Sequence, residues 1–271
     1  MMDIYHISKE EFLQNVKIPT RIMATEQAMY EEMADIMIDT IVTNNGGQTV
    51  IICPVGPIFH YPIFAEKVNR QRISLKNCWF INMDEYLTDE DKTIDYNDPL
   101  SFHAIMDRML YSRIDEDLVM PVEQRLFPEP GHEEEIDKLF ASFEKIDLCL
   151  TGVGINGHIA FNEPPVEDIT DEEFGKIGTR CMNIATETVV NNGANKLRGA
   201  LDIFPKRCIT LGMKQLLSAK KFKVYLYCAW QWGIMRKITL APWSKSAPAS
   251  YLQLHNDAEV VVTEELANFV L

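Results

Sequence analysis

The stretch LTGVGINGHIAFNEPP, residues 150–165, places three glycines, a histidine and a carboxylate directly after an apolar, strand-like run. Pro164 and Pro165 prevent any regular continuation of the chain. In an open α/β sheet, ligands bind just beyond the carboxyl end of a strand. The stretch therefore predicts a catalytic or binding loop at a sheet edge, with His158 and Glu163 as its acid–base groups.

Six apolar runs have the composition of strands, and several are separated by helical patterns. We expect strands at residues 49–53, 78–83, 147–153, 208–212, 223–228 and 259–263, and helices at residues 20–42, 62–70, 100–114, 133–145, 214–219 and 231–238. This alternation predicts a doubly wound, mostly parallel, Rossmann-like α/β sheet with helices on both faces. Since no repeat and no Gly-, Ser- or Pro-rich linker divides the chain, we expect a single domain over residues 1–271.

Composition limits the partners. The net charge of −14 argues against a nucleic-acid partner, although backbone N–H groups and one or two local cations can still hold a small anion. No long apolar run or signal sequence is present, so we expect no membrane association. The six cysteines form no CxxC pair, and they are typical of buried thiols in a reducing cytoplasm rather than of disulfides or a zinc site.

A second acid–base group follows another strand-like run, in the sequence NMDEY at residues 82–86. Asp84 is thereby predicted at the same sheet edge as His158, since the carboxyl ends of parallel strands meet there. A carboxylate near a histidine can take a proton from one carbon and return it to the next. Such proton transfer is the chemistry of aldose–ketose isomerisation.

NMDEY together with GVGINGHIAFNEP at residues 152–164 resembles the glucosamine-6-phosphate deaminase/isomerase family, which shares its fold with 6-phosphogluconolactonases. The segments CITLGMKQLLSAKKFKVYLY, residues 208–227, and SYLQLH, residues 250–255, extend the resemblance through nearly the whole chain. The resemblance implies isomerisation of an amino-sugar phosphate with release of ammonia, without a metal or other cofactor. It implies a small sugar or sugar phosphate as partner and allows a homo-oligomer.

By this resemblance, Asp84 is the base that moves the proton from C2 to C1, and His158 opens the sugar ring. Glu163 orients the imidazole. Asn156 stands where most members of the family carry an aspartate; its amide can orient His158 but cannot stabilise an imidazolium as a carboxylate does. In having asparagine at this position, the chain resembles galactosamine-6-phosphate-type relatives, so the identity of the sugar stays undecided.

The substrate site departs further from the family. A family loop of the type T-G-G-T-P holds phosphate, whereas this chain has Pro54-Val55-Gly56-Pro57, and a family lysine is replaced by Gln231. The family's arginine near residues 193–195 is not evident, which leaves Lys196, Arg198 and Arg236 as candidate replacements. The residues expected to contact substrate are Val55, Gly56, Pro57, Glu85, Gly154, Gly157 and Gln231, although Glu85 equally fits a structural role.

These departures leave three alternatives open. The first is a related isomerase of an unphosphorylated or differently substituted sugar, in a pocket lined by aromatic residues such as Phe59 and Trp230. The second is a hydrolase of the 6-phosphogluconolactonase type. Glu163 disfavours this alternative, because a different sequence follows the histidine in the motif of those enzymes. The third is a non-catalytic sugar-binding regulator, which the joint presence of Asp84, His158 and Glu163 disfavours.

Overall fold

A computed structural model describes residues 3–269 of the chain. Its strands are β1 (Thr20–Met23), β2 (Thr49–Cys53), β3 (Cys78–Asn82), β4 (Asp84–Leu87), β5 (Arg125–Leu126), β6 (Ile146–Thr151), β7 (Arg180–Asn183), β8 (Arg207–Thr210), β9 (Ala219–Leu226) and β10 (Ala258–Thr263). Its α-helices are α1 (Lys9–Asn15), α2 (Glu26–Thr43), α3 (His60–Gln71), α4 (Phe102–Met109), α5 (Glu133–Ser142), α6 (Asp171–Phe174), α7 (Thr186–Lys196), α8 (Met213–Leu216), α9 (Trp232–Leu240) and α10 (Glu264–Asn268).

Seven strands form the main sheet, in the order β1-β10-β9-β6-β2-β3-β5, and every neighbouring pair is parallel. The central strand β2 is buried along its whole length, as a strand covered on both faces must be. Its side chains alternate between two cores: Ile51 and Cys53 pack with α2, α3 and α4, and Val50 and Ile52 pack with α1, α5, α9 and α10. The predicted α/β fold with helices on both faces is therefore confirmed.

The order of the strands creates a crevice between β2 and β6. The chain runs from β2 to β3 on one side, whereas it runs from β6 to β9 on the other. Neighbouring strands whose connections diverge in this way leave a gap beyond their carboxyl ends, where α/β proteins bind ligands.

A second, antiparallel sheet has the order β4-β8-β7 and was not predicted. The expectation that residues 208–212 belong to the parallel sheet is wrong, since β8 pairs with β4, where Asp84 lies opposite Thr210. Only Met83 separates β3 from β4, and its carbonyl accepts a hydrogen bond from Leu211 N at 2.7 Å. The chain thus passes from one sheet to the other without a turn, which an apolar run does not reveal.

Some element boundaries also differ from those predicted. The segment at residues 20–42 is not one helix: residues 20–23 form edge strand β1, and the hydroxyl of Thr25 then caps α2 by accepting from Ala28 N. The predicted helix at residues 100–114 ends with α4 and continues as a 3₁₀ turn at Tyr111–Arg113. No helix in the described part of the chain is long and apolar enough to cross a membrane.

Candidate active site

A cavity of about 590 Å³ opens at the carboxyl edge of the main sheet. It is walled by the segments that follow β2, β3, β6 and β9, together with one side of α7. Of the residues predicted from the sequence, those that line it are Asp84, His158, Val55, Gly56, Pro57, Gly154 and Gln231, and those that do not are Asn156, Glu163, Glu85 and Gly157. The strand ends thus bring Asp84 and His158 into one cavity.

The imidazole of His158 is held from the side away from the cavity. Its Nδ1 lies 2.8 Å from Oδ1 of Asn156 and 3.1 Å from Oε2 of Glu163. Because both neighbours are acceptors, Nδ1 carries the proton of the neutral ring, and Nε2 is left as the acceptor. Nε2 has no hydrogen-bond partner among the described residues, and the side chain borders the cavity, so Nε2 is the atom available to a ligand.

Glu163 is buried and connects three polar side chains. Its Oε2 accepts hydrogen bonds from the amide of Asn156 and from the hydroxyl of Thr188, the latter at 3.2 Å. The same oxygen also contacts Nδ1 of His158. Burial raises the pKa of this carboxyl, but the charge of His158 and the hydrogen bonds of its three neighbours outweigh burial and lower the pKa below its usual value. Glu163 is therefore an ionised carboxylate that orients the imidazole.

Thr188, on α7, was not identified from the sequence. Its hydroxyl lies 3.4 Å from Nδ1 of His158 as well as 3.2 Å from Glu163, and its side chain is buried. The segment of α7 is rich in asparagine and threonine, which favour helices weakly, so the sequence indicated no helix there. Thr188 could have been placed beside His158 from the sequence only if residues 186–196 had been predicted to form a helix.

Asp84 begins β4 and is 7% exposed. No other side chain of the described residues donates a hydrogen bond to its carboxylate or forms an ion pair with it within 4.0 Å. Burial, reinforced by the charge of Glu85 and opposed by Lys196, raises the pKa of Asp84 to about 8. A carboxyl that lines a cavity with a raised pKa is suited to accept and return a proton near neutral pH.

Glu85, expected at the substrate, lies outside the cavity and makes structural hydrogen bonds instead. The carboxylate is fully buried and accepts hydrogen bonds from the backbone N–H groups of Phe102 and His103, at the start of α4, and of Tyr86. The ring of His103 adds a contact of 2.8 Å. Glu85 thus caps α4.

Two glycines of the loop permit close approach. A Cβ at residue 154 would come within 2.0 Å of the imidazole of His158, so the ring lies directly on the backbone of Gly154. Gly157 has φ +92°, and a Cβ there would meet Cα of Ala247 at 3.0 Å. Gly154 makes room for the imidazole of His158, and Gly157 allows the turn that carries this residue.

The loop after β2 has fewer hydrogen-bond donors than the phosphate loop of the family. Pro54 and Pro57 have neither a hydroxyl nor an N–H, whereas Val55 and Gly56, which also line the cavity, keep their backbone N–H groups. The amide of Gln231 lines the cavity, but its oxygen accepts from the backbone N–H groups of Tyr227 and Cys228, and its nitrogen donates to Val153 O, each at 2.9 Å. Both ends of the amide are thus occupied by the backbone, and Gln231 joins the ends of β9 and β6.

Of the three basic residues considered as replacements, only Lys196 lines the cavity. Arg236 is buried elsewhere, where its guanidinium donates to the carbonyls of Ile4 and Ile7. Phe59 and Trp230 line the cavity as expected of aromatic wall residues. No group of three His, Cys, Asp or Glu side chains in the described ranges could hold a metal ion.

A parallel α/β sheet with an aspartate and a glutamate-supported histidine at one edge is the arrangement that the resemblance noted in the sequence implies. No family model matches the chain. A curated glucosamine-6-phosphate deaminase of Mycoplasma mycoides subsp. mycoides SC is 25% identical over 250 residues, which cover 91% of this chain and 95% of that protein. The enzyme of the same name from Lachnoclostridium phytofermentans is 28% identical over 211 residues, 76% of this chain and 82% of that one.

Solved structures agree with these relatives. A structure described as a monomeric glucosamine-6-phosphate deaminase of the NagB superfamily matches with a TM-score of 0.79 and 25% identity, covering 92% of this chain and 99% of that one. The 6-phosphogluconolactonase of Thermotoga maritima shares the fold, with a TM-score of 0.62 at 14% identity over 90% of this chain and 99% of that one. The resemblance to glucosamine-6-phosphate deaminases is thus confirmed over nearly the whole chain.

Proposed function

We propose that this protein is an amino-sugar phosphate deaminase/isomerase. The observation that carries the proposal is the shared cavity of Asp84 and His158, at the carboxyl edge of the main sheet. The named relatives provide the class of substrate, a 2-amino-2-deoxyhexose 6-phosphate. The overall reaction converts this substrate and water into a ketose phosphate and ammonia.

The first step opens the sugar ring. Nε2 of His158 takes the proton of the anomeric hydroxyl, and a proton returns to the ring oxygen as the C1–O5 bond breaks and the C1 aldehyde forms. Glu163, Asn156 and Thr188 keep the imidazole in the tautomer with Nε2 unprotonated. The negative charge of Glu163 stabilises the imidazolium while it holds the proton.

The second step moves a proton between carbons. Asp84 removes the proton from C2 while the C1 oxygen gains one, which gives a C1–C2 double bond bearing the hydroxyl and the amine. Asp84 then delivers its proton to C1, and the nitrogen loses one, leaving a C2 imine that water hydrolyses to the ketone and ammonia. The raised pKa of Asp84, about 8, suits a group that must both take and return a proton.

The test measures ammonia release from glucosamine 6-phosphate and galactosamine 6-phosphate, together with proton exchange at C2 in deuterated water. Asp84→Asn should lose roughly 10²–10⁴-fold in turnover, because it removes the general base. Asp89→Asn is the matched control, since Asp89 is exposed and lies outside the cavity. Wild-type protein that neither releases ammonia nor exchanges the C2 proton would contradict the proposal.

We further infer that the protein works in a reducing cytoplasm. All six cysteines are free, and four of them are buried, which supports this inference. A homo-oligomer, which the family resemblance allows, stays a prediction.

A further inference from the structure

The cavity wall contributed by α7 carries polar side chains, whereas the segment that follows β2 carries none. Three asparagine side chains and one lysine of α7 line the cavity: Asn191, Asn192, Asn195 and Lys196. Their spacing along the chain places them on one face of the helix. The segments after β2 and β9 provide mainly proline, valine and aromatic residues there. We therefore expect a strongly polar part of a ligand to bind next to α7.

Lys196 is the only lysine or arginine among residues 3–269 that lines the cavity. The residue is exposed at the surface, but its ammonium nitrogen lies over the rings of Tyr86 and Phe102, 5.6 and 5.2 Å from their centres. Burial of the ammonium lowers the pKa of Lys196, and the charges of Asp84 and Glu85 oppose this effect. In the described part of the chain this ammonium has no ion pair within 4.0 Å and no hydrogen bond. The two rings hold the cation without neutralising it.

The nearby acidic residues leave this cation available. The carboxylate of Glu85 is occupied by the start of α4 and by His103. Asp84 makes no ion pair with Lys196, and its raised pKa keeps a share of its carboxyl protonated near neutral pH. An anion on the ligand can therefore bind Lys196 without displacing another partner.

We propose that Lys196 and the three asparagine side chains of α7 form the subsite that binds the substrate's phosphate monoester, in place of the loop after β2. The proposal rests on the proposed function, which supplies the phosphorylated substrate. Lys196 contributes the charge. The Asn195 amide nitrogen already donates to the backbone carbonyl of Asn191 at 2.9 Å, and the remaining asparagine N–H groups contribute neutral donors to the other phosphate oxygens. The subsite thus lies on a helix that the sequence did not predict.

The test is equilibrium binding, by calorimetry, of a 2-amino-2-deoxyalditol 6-phosphate and of the same alditol without phosphate. Neither compound has a carbonyl at C1, so neither reacts, and binding is measured independently of turnover. Lys196→Met should weaken binding of the phosphorylated alditol on the order of 10- to 100-fold and leave the unphosphorylated one unchanged, as expected for loss of a charge-assisted hydrogen bond. Lys196→Arg should retain most of the affinity.

Arg198→Met is the matched control, because it removes a charge two residues away at an exposed position outside the cavity. The proposal is overturned if Lys196→Met binds the phosphorylated alditol like wild type, if it weakens both alditols equally, or if wild type binds both alike. Ammonia release that persists in wild type alongside any of these results leaves the deaminase proposal standing. Conversely, Lys196-dependent binding without ammonia release supports the subsite and contradicts the reaction.

Discussion

The side-chain amide of Asn156 donates a hydrogen bond to Oε2 of Glu163, the same oxygen that lies 3.1 Å from Nδ1 of His158. The carbonyl oxygen of the same amide lies 2.8 Å from Nδ1. A neutral residue thus bridges the histidine and its carboxylate, where most of the family carries a second carboxylate. The amide can donate to Glu163 and accept from His158 at once, which an ionised aspartate cannot do.

We predict that Asn156→Asp lowers kcat/KM for ammonia release on the order of tenfold or more. The substitution removes the amide that donates to Glu163 and brings two carboxylates into contact beside the imidazole, so their repulsion disturbs the position of both Glu163 and His158. The measurement is kcat/KM at neutral pH. Asn156→Ala is the control, because it removes the hydrogen bonds without adding charge; an equal loss in both variants would contradict the electrostatic explanation.

Thr188→Val should lower kcat on the order of tenfold while leaving KM nearly unchanged. The valine keeps the shape of the side chain but removes the hydroxyl that donates to Glu163 at 3.2 Å, so the carboxylate orients His158 less firmly. Thr188→Ser retains the hydroxyl and should recover most of the rate. Equal activity of the valine and serine variants would show that the hydroxyl has no part in orienting the histidine.

Much of this arrangement was predictable, because strand ends are short-range features of a sequence. The apolar runs before Asp84 and before residues 150–165 placed both loops at one sheet edge, and the structure agrees. The passage of the chain at Met83 into a second sheet was not predictable, because the apolar run ends at residue 83 and nothing in the next four residues indicates a further strand. Helix α7 was missed because packing, rather than intrinsic propensity, stabilises it.

The contacts of Glu85 and Gln231 show a second limit. Glu85 was expected at the substrate because it adjoins Asp84, although a structural role fitted equally well, and Gln231 was expected there because it stands where the family has a lysine. Their polar atoms are instead occupied by backbone groups from other elements: the start of α4 for Glu85, and the ends of β6 and β9 for Gln231. Sequence neighbours of a catalytic residue can therefore have purely structural roles, and only tertiary contacts distinguish the two.

Gly154→Ala should reduce kcat/KM by two orders of magnitude or more, because the added Cβ would lie 2.0 Å from the imidazole of His158 and must displace it. Gly233→Ala is the matched control, since a Cβ at Gly233, in α9, meets nothing within 4 Å. Circular dichroism and thermal unfolding establish that both variants fold. Wild-type kinetics in Gly154→Ala would mean that the ring does not need its position on the backbone of Gly154.

Because of Asp84, the native state should become less stable as the pH rises. Its pKa is about 8 in the native state, against 3.8 as its ordinary value, so the native state holds this proton more tightly than the unfolded state. The free energy of unfolding therefore falls as the pH rises from about 4 to about 8. At 1.36 kcal/mol for each pKa unit, the full effect is at most about 5–6 kcal/mol.

Asp84→Asn lacks this titration, so its Tm should exceed that of wild type by several degrees at pH 9 and by much less at pH 5. Thermal unfolding of both proteins at the two pH values measures the difference. Asp89→Asn serves as the comparison, because it removes an exposed carboxylate outside the cavity and should leave Tm nearly unchanged at both pH values. A Tm difference between Asp84→Asn and wild type that is the same at pH 5 and pH 9 would show that Asp84 is ionised in the native state at both, and would remove the raised pKa from the mechanism.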